Sequence, residues 1–181
     1  PNILSLLTTV SFMGCVAAGM TLITISGNIM SFSLGATAGA AAMAFIVAVN
    51  FGGVGIGLVA ALAVAGVVSA AQGFAVGWVR ANPIIVSIAT LALIYGVAEI
   101  FTKHSSVYFR PGTGIEILRG KLGGVPLEFV VLLCVTAAGQ FILYLTRFGR
   151  NLYMIGSSFR AAEAAGVKTW RTVTGAYLWA G

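Results

Sequence analysis

The sequence predicts an all-α integral membrane protein, a polytopic bundle of about five transmembrane helices and a partial sixth. Of its 181 residues, 59% are hydrophobic and only 8% are charged, whereas a soluble domain carries about 25% charged residues. The first charged residue is Arg80. The apolar runs are continuous over roughly the 20 residues that a membrane-crossing helix needs, without the alternation of a membrane barrel. This composition excludes a soluble domain, a disordered chain and a disulfide scaffold.

The spans follow from the apolar runs and from the turn residues between them. The predicted spans are 3–25, 35–49, 54–79, 84–101 and 127–146, and a sixth begins after residue 170. Asn50-Phe51-Gly52-Gly53 predicts a tight turn between the second and third spans. Trp78 and Arg80 mark a membrane–water interface, and Pro83 suits the first turn of the fourth helix.

The connections divide the basic residues between the two sides of the membrane. One side carries Arg80, Arg147, Arg150, Arg160, Lys168 and Arg171, and the other carries Lys103, Arg110, Arg119 and Lys121. Because Lys and Arg concentrate in cytoplasmic loops, we expect loop 147–170 to be cytoplasmic and loop 102–126 to lie outside. Membrane topology therefore explains the net charge of +6 better than nucleic-acid binding does.

The sequence offers little for catalysis or metal binding. It has no Asp, one His and four Glu, and His104 is interpreted as a solvated loop residue. The glycine-rich run 52–57 follows no predicted strand, and no phosphate-binding loop is present, so we expect neither ATP hydrolysis nor a cofactor on this chain. Cys15 and Cys134 lie inside apolar runs and are interpreted as small packing residues rather than metal ligands.

A polar stretch between the first two spans is the first candidate site. Residues 26–35 place small polar groups and glycines at the boundary of apolar helices: Ser26, Gly27, Asn28, Ser31 and Ser33. Non-helical backbone at membrane depth is tolerated only when it is buried in protein or lines a cavity, as in the broken helices of transporters. The stretch is either a helix break on a substrate pathway or a simple hairpin turn outside the bilayer.

The second candidate site lies in the basic loop 147–170. Ser157 or Ser158 can cap a helix over 159–165, and Gly166 can end it. Such a short, alanine-rich helix presents almost no side-chain bulk and is marginal on its own. It either inserts into a groove of a partner protein or serves as an interfacial linker.

Three segments together resemble the permease subunits of bacterial sugar ABC importers of the ribose type. They are GMTLITISGNI at 19–29 with SLG at 33–35, NPIIVSIATL at 82–91, and FGRNLYMIG at 148–156 followed by AA at 161–162 and AGV at 165–167. The first segment departs from the family's Ile-Asp-Leu-Ser-Val-Gly pattern, because 29–35 reads IMSFSLG and has no acidic residue.

The resemblance implies that the chain passes a monosaccharide such as ribose, or a similar small solute, across the bacterial inner membrane. Its implied partners are a second permease subunit, ABC ATPase subunits that hydrolyse ATP, and an extracytoplasmic sugar-binding protein. The implied ATPase-coupling loop contains Gly156, Arg160, Ala161, Ala162, Glu163, Ala165 and Gly166. Residues 1–181 would form a single permease domain from a longer subunit.

Two other functions remain possible from the residues alone. An ion-coupled secondary transporter or channel would need ionisable groups inside the membrane, for which Glu99 is the one candidate. A membrane-embedded enzyme would need a cluster of His, Asp, Glu or Cys that the sequence does not offer.

Overall fold

A computed structural model describes residues 2–28, 31–102, 108, 121–122 and 125–181, and the described part is almost entirely helical. The helices are α1 (Asn2–Ile25), α2 (Leu34–Gly77), α3 (Pro83–Thr102), α4 (Leu127–Leu145), α5 (Arg147–Ser157), α6 (Phe159–Ala164) and α7 (Thr169–Ala180). The predicted all-α membrane bundle is confirmed. His104, Lys103, Arg110 and Arg119 of loop 102–126 lie outside the described residues.

Helix α2 is two antiparallel arms, residues 34–51 and 54–77, joined by a sharp reversal. Gly53 has φ +83° and ψ 178°, a conformation open essentially to glycine alone. A straight helix of 44 residues would be about 66 Å long, yet Ser33 Oγ donates a hydrogen bond of 2.6 Å to Gln72 Oε1. Of the described helices, α1 to α4 are long and apolar enough to cross a membrane. The fold-back in α2 therefore yields the five predicted spans.

Contacts between loops that are far apart in the sequence show which loops lie at the same end of the bundle. The side chains of Arg80 and Glu163 form an ion pair, and Gly27 lies against the backbone of Gly156. The turns after α1 and α2 therefore lie at the same end as α5 and α6. At the opposite end, Asn50 Nδ2 donates to the carbonyl oxygen of Tyr108 at 3.0 Å. This arrangement matches the alternation expected from the sequence.

The core lies where α1, α5, α6, α7 and both ends of α2 meet. Its buried apolar residues are Ile23, Leu34, Val76, Ile155, Ala162, Val173 and Tyr177. Helix α7 approaches the second arm of α2 closely, because a Cβ at Gly73 would lie 2.7 Å from Thr174 Cα and one at Gly77 would lie 2.9 Å from the Trp170 carbonyl oxygen. The small residues of this arm thus permit close helix packing.

Two elements differ from the expectations. The first part of loop 147–170 is helix α5, in which Gly149, Leu152 and Ile155 are buried. Its exposed positions include Arg147, Arg150 and Ser157, so its mean hydropathy is that of a loop although its burial pattern is that of an amphipathic helix. In addition, strands β1 (Lys121–Leu122) and β2 (Val125–Pro126) form a small antiparallel pair, which is too short to leave an alternating pattern in the sequence.

Candidate functional site

The polar stretch after α1 is a helix break that contains three buried serines. Helix α1 ends at Ile25, Gly27 adopts a left-handed φ of +81°, and helical structure resumes at Leu34. Ser26, Ser31 and Ser33 are 4%, 6% and 0% exposed. The side chains of these three serines are therefore enclosed by this protein, whereas Gly27 and Phe32 are exposed.

The side chains of the break bond to one another and to α2. Asn28 Nδ2 donates to Ser26 Oγ at 2.8 Å, and the hydroxyls of Ser31 and Ser33 are 3.1 Å apart. Ser33 Oγ donates in turn to Gln72 Oε1 at 2.6 Å. We call Ser26, Asn28, Ser31, Ser33 and Gln72 the polar cluster. Within the described residues, every buried side-chain nitrogen and oxygen has a hydrogen-bond partner.

Gln72 is the member of the polar cluster that the sequence analysis missed. It lies in the second arm of α2, 39 residues after Ser33, and only 4% of it is exposed. It is the only amide side chain in the predicted span 54–79. An amide inside a largely apolar membrane helix needs a hydrogen-bond partner. The position of Gln72 in such a helix could therefore have identified it as part of a buried polar site.

Helix α6 forms close to its predicted bounds. Ser158 Oγ accepts a hydrogen bond of 3.3 Å from the Ala161 amide and so caps the helix. Ser157, the alternative cap, instead donates to the Met154 carbonyl oxygen at 2.9 Å. The helix ends at Ala164, and Gly166 follows with a left-handed φ of +79°.

One face of helix α6 packs against the bundle, and the opposite face is exposed. Ala162, expected from the sequence in the docking surface, is 0% exposed and packs in the bundle core. Its helical position turns it inward, so its side chain is not available to a partner. Ala161, Ala165 and Gly166 are exposed and form the outer surface of the segment.

The charged residues of α6 also separate into two roles. Glu163, which the resemblance places in the ATPase-coupling loop, forms an ion pair with Arg80 of this chain. The guanidinium carbon of Arg80 lies 5.1 Å from the centroid of the Phe159 ring. Arg160 is exposed. The side chain of Glu163 is thus already engaged within the fold.

The two candidate sites touch each other. A Cβ at Gly27 would lie 3.3 Å from Gly156 Cα, and a Cβ at Gly156 would overlap the Ile25 carbonyl oxygen. The end of α5 therefore rests on the first residues of the helix break, with no space for a side chain between them. Within the described residues, no group of three or more His, Cys, Asp or Glu could hold a metal ion.

Comparison with known proteins supports a transport role. A family model described as the branched-chain amino acid transport system permease component matches residues 2–181. The chain is 31% identical over 188 residues to the autoinducer 2 import system permease protein LsrD of Photorhabdus luminescens, covering 95% of this chain and 54% of that protein. It is 27% identical over 184 residues to the ribose import permease protein RbsC of Bacillus subtilis, covering 99% and 56%. No solved structure matches.

A third relative, the D-allose transport system permease protein AlsC of Escherichia coli, is 25% identical over 110 residues, or 61% of this chain and 34% of that protein. The chain thus spans about half the length of the LsrD and RbsC relatives. The resemblance to ribose-type permeases is confirmed, and with the apolar helices it identifies a multi-pass protein of the inner membrane. Because the family model covers residues 2–181, the chain belongs to the branched-chain amino acid transport system permease component family.

Proposed function

We propose that this chain forms part of the permease subunit of an ATP-driven importer that passes a monosaccharide, or a similar small hydroxylated solute, across the inner membrane. The observation that carries the proposal is the polar cluster, an enclosed set of uncharged hydroxyl and amide groups at a helix break in a member of a permease family. In many transporters, interrupted helices with exposed backbone and polar groups form the substrate site.

The chemistry of the polar cluster suits a sugar. Serine hydroxyls donate and accept hydrogen bonds, and amides do both through separate atoms. A sugar hydroxyl can therefore replace one internal bond of the cluster, such as that between Asn28 and Ser26, without leaving a group unpaired. Such exchange gives weak binding, which suits passage better than capture. Two of the relatives are named for ribose and D-allose, which are monosaccharides.

The coupling role is proposed for the outer surface of α6. Alanine and glycine at positions 161, 165 and 166 leave a low ridge that fits a groove on an ABC ATPase subunit. Movement of that subunit would reach the helix break through the contact between Gly156 and Gly27. A second permease subunit and an extracytoplasmic binding protein complete the proposed assembly.

The pathway is tested by replacing Asn28, which bonds to the cluster and is only half-buried. Asn28→Leu is expected to reduce sugar uptake in proteoliposomes while the ATPase still copurifies. The matched control is Thr21→Val in α1, because Thr21 is exposed and its hydroxyl bonds to the Ala17 carbonyl oxygen of its own helix. Uptake at the original rate in Asn28→Leu would remove this residue from the pathway.

The coupling surface is tested by adding bulk to the exposed face of α6. Ala161→Trp and Ala165→Trp are expected to release the ATPase or to uncouple hydrolysis from uptake, because the added indole has no space in a close-fitting groove. Val59→Trp, at a position 68% exposed on α2, is the control for added surface bulk. Full copurification and full sugar-stimulated hydrolysis in both α6 variants would reduce the segment to a linker.

The orientation is tested by labelling introduced cysteines in intact cells. We propose that the end of the bundle with α6 faces the cytoplasm, since six of the ten Lys and Arg residues lie on that side. An impermeant thiol reagent should label Phe51→Cys and not Ser158→Cys. Labelling of position 158 alone would reverse the orientation.

A further inference from the structure

The short connection between α2 and α3 holds an unusual residue, Arg80. It has φ +56°, and among the described residues it is the only one other than glycine with a positive φ. Non-glycine residues adopt this left-handed region in only a few per cent of cases. The flanking turn is fixed on both sides, because the Ala81 amide donates to the Ala75 carbonyl oxygen at 3.2 Å and Asn82 Oδ1 accepts from the Ile84 amide at 3.0 Å.

The Arg80 side chain contacts α6 at two of its turns. Its guanidinium donates to Glu163 Oε1 near the end of α6 and lies over the ring of Phe159 at the start, with 5.1 Å between the guanidinium carbon and the ring centroid. A guanidinium is suited to this double contact because its planar face stacks on an aromatic ring while its edge bonds a carboxylate. One side chain of the α2–α3 turn therefore touches the first and the fifth residue of α6.

Helix α6 needs such support because it contains only six residues. A helix of that length does not persist on its own, and its position depends on the contacts that it makes. Inside the bundle it is anchored by Ala162, with Phe159 packed at the edge of the core. The contacts of Arg80 with Glu163 and Phe159 add a connection between α6 and the α2–α3 turn.

We propose that Arg80 is a positioning residue that fixes α6 to the α2–α3 turn, so that displacement of α6 moves the second arm of α2. That arm carries Gln72 five residues before its end at Gly77, about 7.5 Å along the helix axis, and Arg80 follows three residues later. The consequence for transport rests on the proposed function, in which α6 receives the movement of the ATPase. The fixing of α6 itself depends only on this chain.

The first experiment measures hydrogen exchange of the amides in 159–165 in the complete permease, purified without partners. Arg80→Asn removes the guanidinium and keeps a residue that tolerates the left-handed conformation. Glu163→Gln removes the opposite charge. Arg80→Asn loses both the exposed ion pair and the exposed ring contact and should speed exchange in this segment about three- to thirty-fold. Glu163→Gln loses only the ion pair and should speed it by up to about five-fold. Arg150→Asn, which removes an exposed arginine from α5, is the control and should leave the segment unchanged.

The second experiment measures sugar transported per ATP hydrolysed after reconstitution with the ATPase and the binding protein. Arg80→Asn should lower this ratio while the assembly still forms. The double variant Arg80→Glu with Glu163→Arg should recover part of it, because the ion pair is restored with reversed charges. Arg80→Lys should fall between the wild type and Arg80→Asn, since an ammonium pairs with the carboxylate but stacks less well on the ring.

The outcomes separate this proposal from the proposed function. Unchanged exchange in both single variants overturns the role of Arg80, whatever the partners do. Faster exchange with an unaltered transport ratio overturns its role in coupling. If the wild-type permease binds no ATPase, the proposed function fails, and the exchange experiment still decides whether Arg80 fixes α6.

Discussion

The hydrogen bond between Ser33 and Gln72 provides a quantitative test of the described fold. Ser33 Oγ donates to Gln72 Oε1 at 2.6 Å, and the two residues are 0% and 4% exposed. They lie at the start of one arm of α2 and near the end of the other. We expect this bond to help hold the two arms in register. A double-mutant cycle of Ser33→Ala, Gln72→Leu and the double variant tests this.

The two single variants should differ in their cost to stability, because Ser33 has an alternative hydrogen-bond partner and Gln72 has none among the described residues. In Gln72→Leu, the Ser33 hydroxyl keeps its neighbour Ser31 at 3.1 Å, so we expect a loss of about 1 kcal/mol in the free energy of unfolding. In Ser33→Ala, the Gln72 amide loses the only side-chain hydrogen bond that it makes to a described residue. A buried group left without a partner costs about 1–3 kcal/mol, so we expect about 2 kcal/mol.

The double variant should cost less than the sum of the two single variants. Once both polar groups are gone, neither leaves the other unsatisfied. Interhelical hydrogen bonds in membrane proteins have coupling energies of about 0.6 kcal/mol on average and up to about 1.7 kcal/mol. Because this bond is short and enclosed, we expect a value near 1 kcal/mol, or about a five-fold change in the unfolding equilibrium.

The assay is reversible unfolding of the purified permease in mixed micelles, followed by circular dichroism. Thr90→Val is the control, because the Thr90 hydroxyl bonds to the Val86 carbonyl oxygen of its own helix and should contribute little to contacts between helices. If the costs of Ser33→Ala and Gln72→Leu add within about 0.3 kcal/mol, the residues are not coupled. That result would contradict the antiparallel arrangement of the two arms at this level.

Three further substitutions test packing and backbone conformation. Ala162→Trp should prevent folding of the permease itself, because Ala162 is 0% exposed; a monodisperse, folded variant in size-exclusion chromatography would contradict its burial. Gly53→Ala should lower the stability of the permease by about 1–3 kcal/mol, because Gly53 has a φ of +83°. The control Gly55→Ala should raise it slightly, because a Cβ there meets no atom within 4 Å and alanine favours a helix. Equal melting temperatures of the two variants would contradict the sharp reversal. Gly156→Ala should lower the melting temperature by separating α5 from Ile25, at a cost of about 1–3 kcal/mol, and an unchanged melting temperature would contradict that contact.

The spans were predictable because the bilayer sets the length of a crossing helix. The reversal at 50–53 was equally local, since consecutive glycines supply the left-handed conformation that the turn requires. The cap of α6 was visible as a serine before an alanine-rich run. Helix α5 was not found, because its apolar run 152–155 is only four residues long and follows an arginine and an asparagine.

The candidate site was predictable only where its residues are adjacent in sequence. The serines of the helix break stand together, so their chemistry was visible. Gln72 joins them only because α2 folds back with a particular register, and Glu163 meets Arg80 across 83 residues. Hydropathy indicates that the two arms of α2 pack together, but it does not indicate which residues of one arm face which residues of the other. The direction of the Ala162 side chain likewise depends on how the helices pack.

The Ser33–Gln72 bond lies between two separate routes from α6 to the helix break. One route runs through Gly156, whose backbone lies against Gly27 at the start of the break. The other runs through Arg80 to the second arm of α2 and along it to Gln72. If displacement of α6 moves the helix break and the second arm of α2 by different amounts, the Ser33–Gln72 bond must stretch or break. The polar cluster would then exchange an internal partner for a solute hydroxyl at the moment of coupling, which links the stability cycle at Ser33 and Gln72 to the transport experiment at Arg80.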